Sequence, residues 1–394
     1  MSAEVTRDND KAHGALLPNG MLDILPESAE AETRVAHLLL ETFAKFSYRQ
    51  VNPPLVEFED SLLPAGSSDS LANKTFRLMD PISRRMMAIR PDATIQIVRI
   101  AASRLKTMPR PLRLSYVADV MRVKASLLRP ERQFKQVGCE LLGVDTAEAS
   151  AEAALLAIIA LNAIGVKRIS IDFTAPEIVR LLAQKVEDAE GFVHACQRRD
   201  EDALKKFGES GKMMVRLNRA SGPVDEFFKQ IQTAKLPDSI KASFVKLKAV
   251  MEELRAGMKA YGLEDQVTMT VDPLESKGFE YETSPSFTLF AHGIRGELGR
   301  GGYYEASFRL NEKQNHKEPA NGFTLYMDSM LRAIAELEIL PRLFVPAGTA
   351  WSEIKKYQDD GYAVIRGTSA KMSPKDLAAM DCTHIYKNGK IQLL

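Results

Sequence analysis

Gln136 and Glu140 lie four residues apart in the segment Phe134-Lys135-Gln136-Val137-Gly138-Cys139-Glu140-Leu141. On an extended strand, positions two and four apart share a face, so the amide and the carboxylate point the same way. That face could be solvent or a site. The flanking Phe134, Val137, Cys139 and Leu141 are apolar and shift the reading toward a buried pair. A buried carboxylate and amide need partners. An ammonium or imidazole ligand would supply them. Asp92 and Thr94, in Ile89-Arg90-Pro91-Asp92-Ala93-Thr94, fall where a helix is expected to begin, within its first turn. An acidic residue there is commonly a cap; it can also receive a cation.

Other chemistries lack their residues. Gly208-Glu209-Ser210-Gly211-Lys212 is too short to cradle phosphates and falls in a helical pattern. There is no HExxH and no nucleophile elbow. Gly296, Gly299, Gly301 and Gly302 read as a glycine-rich turn with a structural role, because no strand-to-helix junction surrounds them as in a dinucleotide site. The six histidines do not pair at ligand spacing. Cys139, Cys196 and Cys382 are widely separated and odd in number, which allows at most one disulfide and fits a reducing cytoplasm. Nothing suggests a metal or a bound redox cofactor.

The elements that must position these residues can be read from pattern. Residues 1–17 are expected to be a flexible tail. Pro26 opens a helix with Val35, Leu38, Leu39, Thr42, Phe43 and Phe46 on one face. Short strands are expected over 75–78 and 85–89, joined at Asp80-Pro81. Leu112 to Val123 and Phe134 to Leu142 read as a long hairpin. Ala147 to Gly165 reads as a buried helix; its apolar run, broken by Asn162, is shorter than the ~20 residues that span a bilayer. Residue 169 starts a strand. Residues 176–262 read as an insertion made only of amphipathic helices. Strands return at 267–271, at 287–291 and from Gly302 onward, and 327–337 reads as helix. Residues 341–394 form a small α/β module ending in one strand. The fold class is therefore α+β, with a core over 18–340.

The chain has 394 residues, with 53 Lys plus Arg against 52 Asp plus Glu. That balance argues against a strongly basic nucleic-acid binder.

Several segments together resemble histidyl-tRNA synthetase, a class II aminoacyl-tRNA synthetase family. They are Asn19 to Pro26, Tyr48 to Glu57 (motif 1), Ile89 to Thr94, Ser115 to Gly143 (motif 2), Gly301 to Glu305 and Gly322 to Leu325 (motif 3). The resemblance implies a mainly antiparallel sheet flanked by helices, and a homodimer built through motif 1. It implies histidine binding by Asp92, Thr94, Arg122, Gln136, Glu140 and Tyr281, with Lys277, Glu282 and Tyr303 as further candidates.

The ATP side departs from the pattern. Lys124 replaces an acidic position, and Pro130 a basic one. Asp328-Ser329 stands where Glu-Arg is expected, with Tyr326 at a small glycine position. Lys277 and Tyr303 replace arginines. Adenylate formation needs cations where charge develops, and lysine lacks arginine's bidentate fork. The module after Leu340 reads as a cut-down anticodon domain. A synthetase-like chain with these losses resembles the regulatory subunits of ATP phosphoribosyltransferase. That resemblance implies a cytoplasmic, non-catalytic partner of the short-form catalytic subunit, with L-histidine as allosteric ligand in a hetero-octamer, and no nucleic acid or membrane partner. A divergent synthetase, a synthetase-like RNA-binding or stress-sensing module and a scaffold with an empty pocket are the alternatives.

Overall fold

The computed structural model describes residues 16–63, 69–125, 129–232, 234–275, 282–311, 314–334, 340–369, 372–387 and 389–394. The chain divides into two compact units, residues 1–335 and 336–394.

The larger unit is organised on a sheet of nine strands among the described residues. In spatial order they are Arg49–Gln50, Leu112–Met121, Gln133–Leu142, Gln314–Tyr326, Gly299–Asn311, Glu282–Ala291, Ile169–Thr174, Val267–Val271 and Gly222–Pro223. Neighbours run antiparallel except at the first pair and between Ile169–Thr174 and Val267–Val271. Alternation gives the sheet two different faces.

Phe323, Asn321, Phe287, Phe173 and Cys139 point to the back. Two helices pack there. Pro26–Lys45 starts with proline at its first position and buries Val35, Leu39 and Phe43, with Phe43 edge-on to Phe323 at 5.6 Å between centroids. Ala147–Ala163 is capped by Thr146, whose hydroxyl accepts from the Ala149 N–H at 3.2 Å. Alanine, leucine and isoleucine surround this helix, and ten of its residues are buried; a helix apolar all round must be enclosed. Helix Asp238–Ala260 covers its far side, where Gly257 allows close approach to Leu155.

The front face is covered only in part. Helix Thr94–Ser103 lays Ile97, Val98, Ala101 and Ala102 against Leu112, Leu114, Leu142 and Ala320. Beside this cluster the sheet presents Gly138, Gly322 and Gly302 on the same face.

Four local expectations change. Asp92 precedes the helix instead of lying in its first turn: the helix begins at Thr94, because the Asp92 carboxylate holds the Thr94 N–H. Gly299 to Gly302 lie inside a strand, not in a turn. The helical insertion contains Gly222–Pro223, which adds a short strand to the sheet edge through Val271 and Thr270. In the helix expected over 327–337, the described part spans Met327–Ala333, and 335–339 lie outside the described residues.

The smaller unit is a four-stranded sheet with helices Trp351–Asp359 and Pro374–Ala379. Its ending is a hairpin of two strands, His384–Lys387 and Lys390–Leu393, not one. Among the described residues no helix is long and apolar enough to cross a membrane.

Candidate functional site

Gln136 and Glu140 stand on the front of the Gln133–Leu142 strand at 0% and 1% exposure. The intervening position on that face is Gly138. A Cβ there would lie 2.3 Å from the Phe323 carbonyl oxygen and 2.5 Å from the Tyr116 hydroxyl, so glycine is needed for the strands and the tyrosine to close.

The loop before helix Thr94–Ser103 meets Gln136 edge to edge. The Ala93 N–H donates to Gln136 Oε1 at 3.0 Å, and Gln136 Nε2 donates to Asp92 Oδ2 at 2.9 Å. These two bonds fix which end of the amide faces which partner. Asp92 Oδ1 accepts from the Thr94 N–H at 3.0 Å. Arg122 Nη2 stands 3.9 Å from Asp92 Oδ2. Its Nε donates to the Pro91 carbonyl at 3.2 Å, and its guanidinium lies over Phe134 at 4.9 Å.

Glu140 finds protein partners that the sequence does not reveal. Thr94 Oγ1 donates to Oε1 at 2.8 Å, and the Tyr304 hydroxyl donates to Oε2 at 2.7 Å. The carboxylate leans across Gly322, where a Cβ would sit 1.9 Å from Oε2. Burial, reinforced by the Glu140 charge, pushes the Tyr304 and Tyr116 hydroxyls well above the ordinary tyrosine range. Both stay protonated, so Tyr304 remains a donor to Glu140. Tyr116 shares a 2.7 Å hydrogen bond with Thr324.

The structure thus brings together Asp92, Thr94, Arg122, Gln136 and Glu140, and adds Tyr304. It places Tyr303 elsewhere. Residues 303 and 304 alternate across the sheet, and the Tyr303 ring stands on the back under Lys246 Nζ at 4.0 Å. Burial, followed by the Asp145 charge, raises its hydroxyl to about 12. Lys277 and Tyr281 lie outside the described residues, as does the side chain of Glu282.

Next to the pocket, three arginines meet carboxylates. Arg122 faces Asp92. Arg129 Nε donates to Asp328 Oδ2 at 3.2 Å, and its guanidinium lies 4.0 Å from the centre of the Tyr326 ring and 4.7 Å from that of Phe134. Arg300 pairs with Glu297. Tyr326, 5% exposed, fills volume that a glycine would leave open. Arg129 was not singled out from sequence; its only signal is a cation inside the polar segment between two long strands.

A family model described as histidyl-tRNA synthetase matches residues 20–330. A chain of Rhodospirillum centenum named ATP phosphoribosyltransferase regulatory subunit is 42% identical over 96% of both chains. One with the same name from Rhodospirillum rubrum is 39% identical over 94% of this chain and 95% of its own. Among solved structures, an ATP phosphoribosyltransferase regulatory subunit/histidyl-tRNA synthetase of Bacillus halodurans superposes with TM-score 0.78 at 21% identity, covering 95% of this chain and 98% of that one. Histidyl-tRNA synthetase of Nostoc sp. PCC 7120 gives 0.74 at 15%, covering 94% and 90%. The fold is therefore that of histidyl-tRNA synthetase-like structures, and the relatives at 39–42% identity carry the regulatory-subunit name. The chain belongs to the ATP phosphoribosyltransferase regulatory subunit family, built on the class II histidyl-tRNA synthetase fold.

Proposed function

We propose that this chain binds L-histidine in the pocket around Asp92, Thr94, Gln136, Glu140 and Tyr304. It activates a short-form ATP phosphoribosyltransferase catalytic subunit, and through the bound histidine it conveys feedback inhibition at the first step of histidine biosynthesis. It forms no adenylate and works as a cytoplasmic homodimer within a hetero-octamer. In this reading Asp92 receives the α-ammonium, Arg122 the α-carboxylate and Glu140 an imidazole N–H. Each is a charge-assisted hydrogen bond, about twice as strong as a neutral one. Tyr281, with Lys277 and Glu282 as further candidates, is proposed to contact histidine as well. Residues 18–340 act as the binding core, 176–262 as its insertion and 341–394 as a separate module.

One contrast carries the reading. Gln136 and Glu140 are braced by Asp92, Ala93, Thr94 and Tyr304, yet Arg129 and Arg300 beside them face Asp328 and Glu297. Stabilising transferred phosphates requires cations aimed at developing charge. A guanidinium already held by a carboxylate supplies much less.

Histidine inhibits only by binding one state of the complex more tightly than another. The test is reconstitution with the short-form catalytic subunit and titration of histidine. The expected result is activation without histidine and inhibition as the pocket fills. Robust histidine-dependent pyrophosphate exchange by the pure chain would instead make it a divergent synthetase.

A further inference from the structure

The front of the sheet holds a cross-strand row that the pocket described above uses at one end only. Glu140 is registered with Gly322, Gly322 with Gly302, and Gly302 with Ser286. Directly opposed residues share a face, so two polar side chains flank a floor of two glycines. Glu140 leans over Gly322. Ser286 leans over Gly302 from the other side: a Cβ on Gly302 would lie 2.7 Å from Ser286 Oγ. Ser286 is 0% exposed, and its hydroxyl has no hydrogen-bond partner among the described residues. A buried hydroxyl without a partner costs about 1–3 kcal/mol. Native interiors rarely leave one so without cause.

We propose that Ser286 is a ligand-contacting, specificity-setting residue that donates its hydroxyl hydrogen to the acceptor nitrogen of a bound imidazole. The inference rests on the histidine-binding reading and deepens it. A neutral imidazole has one N–H donor and one acceptor nitrogen. Glu140 is an acceptor and Ser286 can donate, so the pair reads both ring positions across the floor. Glu140 Oε2 lies 1.9 Å from the Cβ position at 322 and Ser286 Oγ 2.7 Å from that at 302; with those positions on neighbouring strands, the two polar atoms stand roughly 7 Å apart. A flat five-membered ring with a hydrogen bond at each end fills that gap. Any side chain at 322 or 302 would occupy the ring's place.

Calorimetry on the full chain tests this, with histidine and with an alanine carrying a pyrrole ring, which keeps an N–H but lacks the acceptor nitrogen. Ser286→Ala is expected to weaken histidine about three- to ten-fold, the worth of one neutral hydrogen bond, and to leave the pyrrole analogue unchanged. Ser286→Cys, similar in volume but a weak donor, is expected to show the same split. The ligand-free Ser286→Ala chain should melt at or above the wild-type temperature, because an unpaired buried hydroxyl has gone. Wild-type histidine affinity in both variants overturns the assignment, and so does an equal loss for both ligands. A wild-type chain that binds no histidine overturns the underlying reading as well, which separates the two failures.

Discussion

Replacing Glu140 tests the pocket most directly, and the structure says how to do it cleanly. Glu140→Ala would leave the Thr94 and Tyr304 hydroxyls, now 2.8 and 2.7 Å from the carboxylate, without their acceptor. Each loss costs about 1–3 kcal/mol, so the variant would combine a binding defect with a folding defect of about 2–6 kcal/mol. Glu140→Gln keeps an oxygen for one hydroxyl, and the other can rotate to accept from the new amide. The fold is then spared while the charge is removed. A hydrogen bond to a charged group is worth about 1.5–3 kcal/mol, which corresponds to roughly a 10- to 150-fold weaker histidine affinity. The assay has two arms. Calorimetry gives the affinity, and the reconstituted transferase gives activation without histidine together with the inhibition midpoint. Linkage requires the midpoint to shift by about the same factor as the affinity, whereas histidine-free activation should stay within about two-fold. Unchanged histidine affinity would refute the assignment of Glu140. Activation lost in step with affinity, in a chain that melts normally, would refute the separation of binding from activation.

Gly322→Ala should abolish histidine binding at a cost of about 1–3 kcal/mol from overpacking, since its Cβ would meet Glu140 Oε2 at 1.9 Å; near-normal affinity in calorimetry would contradict the glycine floor. Lys277→Arg should not create pyrophosphate exchange, because Asp328, Ser329 and Pro130 remain, and exchange in that single variant would show that the other losses are not decisive. Ser329→Arg should lower the melting temperature markedly, because Ser329 is 1% exposed and a large cation would be forced beside Arg129 and Arg332. Asp172 gives a pH test. Burial raises its carboxyl to about 6, against the hydrogen bond from Thr270. Between about pH 4 and 6 the folded chain keeps a proton on Asp172 that the unfolded chain has lost, so this group's contribution to stability is fullest below about pH 4 and is lost as pH rises through about 6. Asp172→Asn should flatten that slope and stabilise the chain by about 1–3 kcal/mol at pH 7; thermal melts with equal slopes in both chains would exclude it.

How much of the site was legible follows from how far each residue's information travels. Gln136 and Glu140 were readable because a strand's two-residue period is local: apolar neighbours at 134, 137, 139 and 141 state that the polar pair is enclosed. Asp92 and Thr94 were readable for the same reason, since a loop-to-helix junction announces itself within a few residues. Tyr304 was not. Whether 303 or 304 faces Glu140 depends on the register of Gly302 with Gly322 and of Gly322 with Glu140, which links Glu140 to residues more than 160 positions away. A slip of one residue exchanges the two faces. Nothing near Gly301-Gly302-Tyr303-Tyr304 records which tyrosine wins, and Tyr303, the one marked from sequence, lies against Lys246 instead. Glycine was misread by the same mechanism. Locally, Gly299, Gly301 and Gly302 suggest a turn. In the sheet they allow neighbouring strands and side chains to approach where a Cβ would strike Gly322 O, Thr324 O or Ser286. The departures from the synthetase pattern have both components. Ser329 and Lys277 were legible as substitutions, but the pairing of Arg129 with Asp328 across 199 positions was not. That pairing adds to a missing arginine the engagement of a neighbouring one. Residue identity can reveal that a charge is absent; only register and packing show what the charges that remain are holding.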